Sequence, residues 1–281
     1  MMSGGGISNT VYVFSVSKFE ICVKKPMKQV RKEHALVYLN NCVYALGGYD
    51  GINNAFLSTC EKYDLEKDEW NEIKPMVFAK CAFGACAINN RYIFTVGGYN
   101  GTFRLDTIER FDSETQEWSI FNTRLHEALS NIACFSAQDN SFTLLGGGHD
   151  NGFSLEVWTL DIEKEKWKEE EQMSEGRDLR NKISVIGGYV YAIGGNECKG
   201  ERFSLSTGKW SPLPAYHHLV NDNLDSWCCA LGYEIEGKTS KNKNTEVCNQ
   251  SFQFAITNKM DFPSSNLEPW FMEGWEGDDS P

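Results

Sequence analysis

The side chains that could hold a metal are few and scattered. The chain has five histidines, His34, His126, His149, His217 and His218, and ten cysteines. No Cys-x-x-Cys pair is matched by a second Cys or His pair, the pattern a structural zinc site needs. His217 and His218 are adjacent, so on a strand they point to opposite faces and do not share an ion. Several cysteines sit in apolar runs, where a free thiol behaves as a small hydrophobe. Nucleophile chemistry is no better served: there is no Gly-x-Ser-x-Gly elbow and no His-Glu-x-x-His. The carboxylates around Glu165 and Glu169-Glu170-Glu171 lie in a charged stretch that reads as a solvated sheet edge. Paired glycines can cradle phosphate, but here no Gly-x-Gly-x-x-Gly and no Lys-Ser/Thr follows them. These residues lead us to expect no catalytic residue, no metal and no cofactor.

The glycines instead mark a repeat. Gly47-Gly48, Gly97-Gly98, Gly146-Gly147 and Gly194-Gly195 recur at spacings of 50, 49 and 48. A short apolar run precedes each pair, and turn formers such as Asn40-Asn41 and Asn90 precede each run. Such residues favour the positive φ of tight hairpin turns. A second mark follows: Tyr63 and Trp70, Phe111 and Trp118, Leu160 and Trp167, Phe203 and Trp210, each pair seven residues apart. The stretch between glycines and aromatic varies while the seven holds, as expected of a fixed hairpin joined to a variable loop. Four short strands in ~45–50 residues make one blade of a propeller. The glycines are therefore expected at strand ends with positive φ or close backbone approach. Repetition at one blade position assigns the tryptophans to packing between blades.

These residues resemble the kelch family: Gly-Gly after an apolar strand, then Tyr/Phe-Asp, then Trp. The resemblance covers about residues 4 to 214. It implies an all-β, kelch-type β-propeller with four four-stranded blades. A partial N-terminal repeat precedes them, with Phe14 and Ile21 at the aromatic and Trp positions. Its two outer strands are expected and its two inner strands are missing. The C-terminal segment would complete it, giving about five blades, or the chain is a fragment of a larger ring. The expected organisation is a propeller over 1–256. The partial repeat is 4–27, the repeats are about 28–76, 77–125, 126–173 and 174–214, and a degenerate closing segment is 215–256. Residues 257–281 are read as a tail, flexible and acidic at its end.

The resemblance also implies that the loop after Gly-Gly and the connection between blades emerge at one end. Those loops hold Tyr49, Tyr99, Phe103 and Arg104, with Arg124, His126, His149, Arg177 and Arg180. Arg and Tyr are favoured interface anchors, and Arg pairs well with carboxylates. The expected partner is another protein, offering an acidic motif to this loop face. In the family such rings serve as substrate receptors of ubiquitin ligases or as actin-associated scaffolds. An enzyme of the galactose oxidase-like or mutarotase type is the rival reading, and no matching metal constellation is found for it.

Composition agrees with a folded protein. Of 281 residues, 41% are hydrophobic and 23% charged, an ordinary globular balance. The formal net charge of −12 repels phosphate backbones, so nucleic acid is not an expected partner. No apolar run approaches the ~20 residues that span a bilayer. No membrane partner and a cytoplasmic location are expected.

Overall fold

The computed structural model describes residues 2–5, 8–15, 20–179, 183–193, 200–213 and 253–254. Gly194, Gly195 and Arg180 lie outside them, as does nearly all of the closing segment and the tail. Every regular element among the described residues is a strand, and no helix is long and apolar enough to cross a membrane.

The N-terminal sheet runs β1 (Met2–Gly5), β2 (Ser8–Ser15) and β3 (Glu20–Lys24), in that order. Blade 1 holds β4 (Ala35–Leu39), β5 (Cys42–Asp50), β6 (Ala55–Asp64) and β7 (Glu69–Ile73). Blade 2 holds β8 (Gly84–Ile88), β9 (Tyr92–Val96), β10 (Ile108–Asp112) and β11 (Glu117–Ile120). In blade 3, β12 (Ala133–Gln138) and β13 (Ser141–Leu145) are followed by a small ribbon of β14 (Gly148–His149) and β15 (Gly152–Phe153). The blade is finished by β16 (Val157–Asp161) and β17 (Lys166–Glu169). Blade 4 holds β18 (Ile183–Ile186), β19 (Tyr189–Ala192), β20 (Glu201–Ser204) and β21 (Lys209–Pro212). Each blade is an antiparallel meander, the four-stranded kelch-type architecture expected from the repeat.

The partial repeat has one strand more than expected. Met2–Gly5 pairs with β2 through Met2↔Tyr12, Ser3↔Val11 and Gly5↔Ser8, so three strands of that blade stand among the described residues. Its sequence, MSGG, has no β-branched or aromatic residue to signal a strand. In the closing segment, β22 (Gln253–Phe254) pairs with Val37 and Leu36 of β4 rather than with β1.

Local chemistry explains the blade. Asn40-Asn41 and Asn89-Asn90 all have φ of 49–56°, the two positive values of a type I′ hairpin. Between third and fourth strands, Asp64 accepts hydrogen bonds from the Glu66 and Lys67 N–H groups, and Asp68 sits at φ 53°. This loop makes the seven-residue interval a cross-strand pair: Tyr63↔Trp70, Phe111↔Trp118, Leu160↔Trp167 and Phe203↔Trp210.

Each tryptophan then ties its blade to the preceding chain. The indole N–H groups of Trp70, Trp118, Trp167 and Trp210 donate to the carbonyls of Lys25, Lys74, Arg124 and Glu171 at 2.8–2.9 Å. One buried apolar cluster fills each interface between neighbouring sheets. Phe83, Ala85 and Phe111 of blade 2 meet Val37, Tyr44 and Leu46 of blade 1. First strands approach closely: Cys86 Sγ and Cys134 Sγ are 3.3 Å apart. At Gly97, φ is +61° and a Cβ would stand 2.5 Å from the Leu129 carbonyl oxygen, so only glycine fits.

Candidate functional site

Short backbone bridges bring the two sets of loops together. Lys32↔Tyr49, Cys81↔Tyr99 and Ser130↔Gly148 join the connection entering each of blades 1–3 to the loop after its Gly-Gly. The same bridge in three consecutive blades assembles one continuous loop face.

A buried ion pair fixes the roots of these loops in blades 1, 2 and 4. Glu61 accepts the Lys28 N–H at 2.6 Å and the Gln29 N–H at 3.1 Å, and takes Arg31 at 2.7 Å. Glu109 accepts the Val77 N–H at 2.6 Å and holds Lys80 at 2.9 Å. Glu201 accepts the Ser174 N–H at 3.2 Å and holds Arg177 at 3.1 Å. All six side chains are almost wholly buried. Burial pushes the Lys80 ammonium below its ordinary pKa, opposed by Glu109. Blade 3 has Leu129 and Trp158 at these positions, and His126 stacks on Trp158 with ring centroids 4.6 Å apart. The pattern was readable, because each cation stands four residues after Met27, Met76 or Met173 and each Glu two before the aromatic. Sequence alone instead places Arg177 on the loop face and gives the other five residues no role.

Above these roots lies an aromatic shelf. Phe56 packs edge-on between Tyr49 and Tyr99, with ring centroids 5.0 and 5.6 Å away. Gly101 of blade 2 lets Phe56 approach from blade 1, since a Cβ there would come within 2.6 Å of its ring. The Lys32 ammonium lies over the Tyr49 ring at 5.1 Å. Ile52 and Phe103 project from the two loops, 60% and 59% exposed. Further round, Phe153 and Leu155 are also exposed. A cleft of about 520 Å³ opens beside the shelf in blade 1, lined by Gln29, Arg31, Asp50, Asn53 and Thr59 and sharing Ile52 with it. Hydrogen bonds from Asn53 and from the Ile52 N–H hold the Asp50 carboxyl below its usual pKa.

The predicted site residues divide into three groups. Tyr49, Tyr99, Phe103 and Arg104 come together, with Arg104 reaching Ser130 and pairing with Asp150 of blade 3. His149 belongs to the same rim, 3.9 Å from Glu127. Arg124 pairs with Asp106 at 2.7 Å, and His126 turns to Trp158 and Trp167 of blade 3. Arg177 is corrected: its side chain is 1% exposed and bound to Glu201, so it is a strut beneath the face and not a contact on it. Arg180 lies outside the described residues. Sequence reasoning missed Ile52, Phe56, Lys32 and Phe153, because a single apolar or basic residue in a loop or at a strand end carries no periodic signal.

The face is not an unopposed cationic surface. Arg104 and Arg124 both have carboxylate partners, yet these are surface groups: Asp150 is 93% exposed. Exposed pairs of this kind contribute ~0–1 kcal/mol and exchange readily.

Comparison with known proteins agrees with this construction. A family model for the Kelch motif matches residues 31–77 and 80–123, which are blades 1 and 2. Human "Kelch-like protein 23" is 29% identical over 211 residues, covering 72% of this chain and 36% of that protein. Zebrafish "Kelch-like protein 26" is 32% identical over 142 residues, 47% of this chain and 23% of its own length. Mouse "Kelch-like protein 35" is 27% identical over 237 residues, 79% of this chain and 38% of its own. The chain thus spans about a third of the length, or less, of the curated relatives it matches.

Proposed function

We propose that this chain, similar to kelch-repeat proteins and built of β-propeller blades, is a non-enzymatic protein-interaction module whose loop face binds a partner protein. The observation that carries this reading is the shelf of exposed Ile52 and Phe103 beside half-buried Phe56 and Tyr99, on loops whose roots are pinned by buried glutamates. Large exposed apolar side chains on rigid loops mark interaction sites, and pre-ordered loops lose little entropy on binding.

An acidic segment of the partner suits the rim of the shelf. Its apolar side chain would sit against Phe103 and Phe56, and its carboxylate would replace Asp150 on Arg104 or Asp106 on Arg124. Exchange of one solvated carboxylate for a bound one costs little where the existing pair is exposed. A ubiquitin-ligase substrate receptor and an actin-associated scaffold would both use this face and differ only in what it captures.

Affinity capture from a lysate of the source cells, read by mass spectrometry, tests the proposal. The variant combines Phe103→Asp with Arg104→Glu, both side chains lying outside the core. Wild-type protein is expected to enrich a defined protein that the variant loses. Enrichment unchanged by the variant would refute the loop face as the binding surface.

A further inference from the structure

The outer strands of the blades differ in one respect. In blades 1 to 4 the fourth strand carries exposed charges or polar groups around its tryptophan: Glu69 and Glu72 in β7, Glu117 in β11, Lys166 and Lys168 in β17, Lys209 in β21. Charge at a sheet edge blocks addition of a further strand. The outer strand of the N-terminal blade, β3, has the sequence EICVK. Ile21 is 40% exposed, Val23 is 68% exposed, and Cys22 between them is exposed. Tyr12, paired with Val23 across the ladder, is 38% exposed and widens the patch. Among the described residues β3 is hydrogen-bonded to β2 alone, so its other edge presents unpaired backbone groups.

We propose that β3 is a pairing edge for a second copy of this chain, joined antiparallel about a two-fold axis at Cys22. The strand is self-complementary in this one register. Residue 20 falls opposite residue 24, which sets Glu20 against Lys24 of the second copy, twice. Ile21 falls opposite Val23, also twice, and Cys22 faces its own copy. Sliding the register by two residues, to centre on Val23, sets Cys22 against Lys24 and loses both charge pairs. Cross-strand apolar and opposite-charge pairs are the units that stabilise a ladder. A two-fold interface uses each pair twice, so complementarity within five residues counts double.

The test is sedimentation velocity on the full chain from nanomolar to high micromolar concentration. Wild type should form a dimer. Glu20→Lys and Lys24→Glu alone each turn two attractive pairs into two like-charge pairs and should weaken it roughly tenfold. The two changes combined restore opposite charges and should return the affinity to that of wild type. A short bis-maleimide, adding one thiol across each of its double bonds, should link Cys22 to Cys22 in wild type. Cys22→Ser should abolish the link and keep the dimer. A monomer at every concentration overturns the proposal. So does a dimer indifferent to both charge reversals, or a wild-type dimer lacking the Cys22 link, the latter a measurement that needs no variant to fold.

Discussion

A buried glutamate in this fold does the work of a loop clamp, and its removal should be felt through the cation it leaves behind. Glu109→Ala strands the Lys80 ammonium, wholly buried, and frees the Val77 N–H. Breaking a buried pair on one side typically costs ~3–5 kcal/mol, whereas replacing both members is often nearly neutral. The double variant Lys80→Met, Glu109→Gln should therefore unfold in urea much closer to wild type than Glu109→Ala does. Blade 3, with Leu129 and Trp158 at these positions, already shows that the blade forms without the pair. His34 offers a second residue-scale check. Burial, helped by Arg31, lowers its pKa from 6.5 to about 3, so it stays neutral in the folded protein. The unfolded chain binds a proton below pH 6.5 that the folded one does not, so stability falls as pH drops through that point. Between pH 6.5 and 5 the loss should reach ~2 kcal/mol, at about 1.4 kcal/mol per unit. His34→Gln should flatten that part of the curve, and an unchanged slope would contradict the assignment. The glycine and tryptophan roles were legible because one constraint repeats at a fixed spacing. The Arg31–Glu61 and Lys80–Glu109 pairs repeat at fixed spacing too, but a charge in sequence does not announce that it will be buried, so spacing alone did not give their role.

Elements in this fold are set by turn chemistry more than by strand propensity. Gly97 and Gly187 share nearly the same φ, +61° and +57°, but a Cβ at Gly187 meets nothing within 4 Å, while one at Gly97 meets Leu129 and Ile132. Replacing either by Ala costs ~1–2 kcal/mol for the left-handed backbone. Gly97→Ala should cost a further ~1–3 kcal/mol for overpacking against blade 3. Thermal unfolding of the two variants separates these contributions, and equal losses would show that close approach does not matter at the Gly-Gly site. Four blades could be read from spacing because the hairpin with Asp64 and Asp68 makes the interval rigid. The strand Met2–Gly5 could not, since two of its four residues are glycine and none is β-branched or aromatic.

At the scale of the molecule, consecutive blades place the loops after Gly-Gly beside the connections between blades, and so build one face from residues far apart in sequence. That both loop sets share one end was legible from the resemblance of the repeat. What the face presents was not. Arg104 meets Asp150 across 46 residues, and Phe56 meets Tyr99 across a blade boundary. Such neighbours follow from the angle between blades, which no local pattern encodes. The central claim is that this face takes the partner. Amide hydrogen exchange of the chain, alone and with the protein it captures, tests it most directly. Slowed exchange is predicted in segments 49–56, 99–106 and 148–155. Protection confined to the hairpin turns at 40–41, 89–90 and 139–140, or to the outer strands, with those segments unchanged, would contradict it.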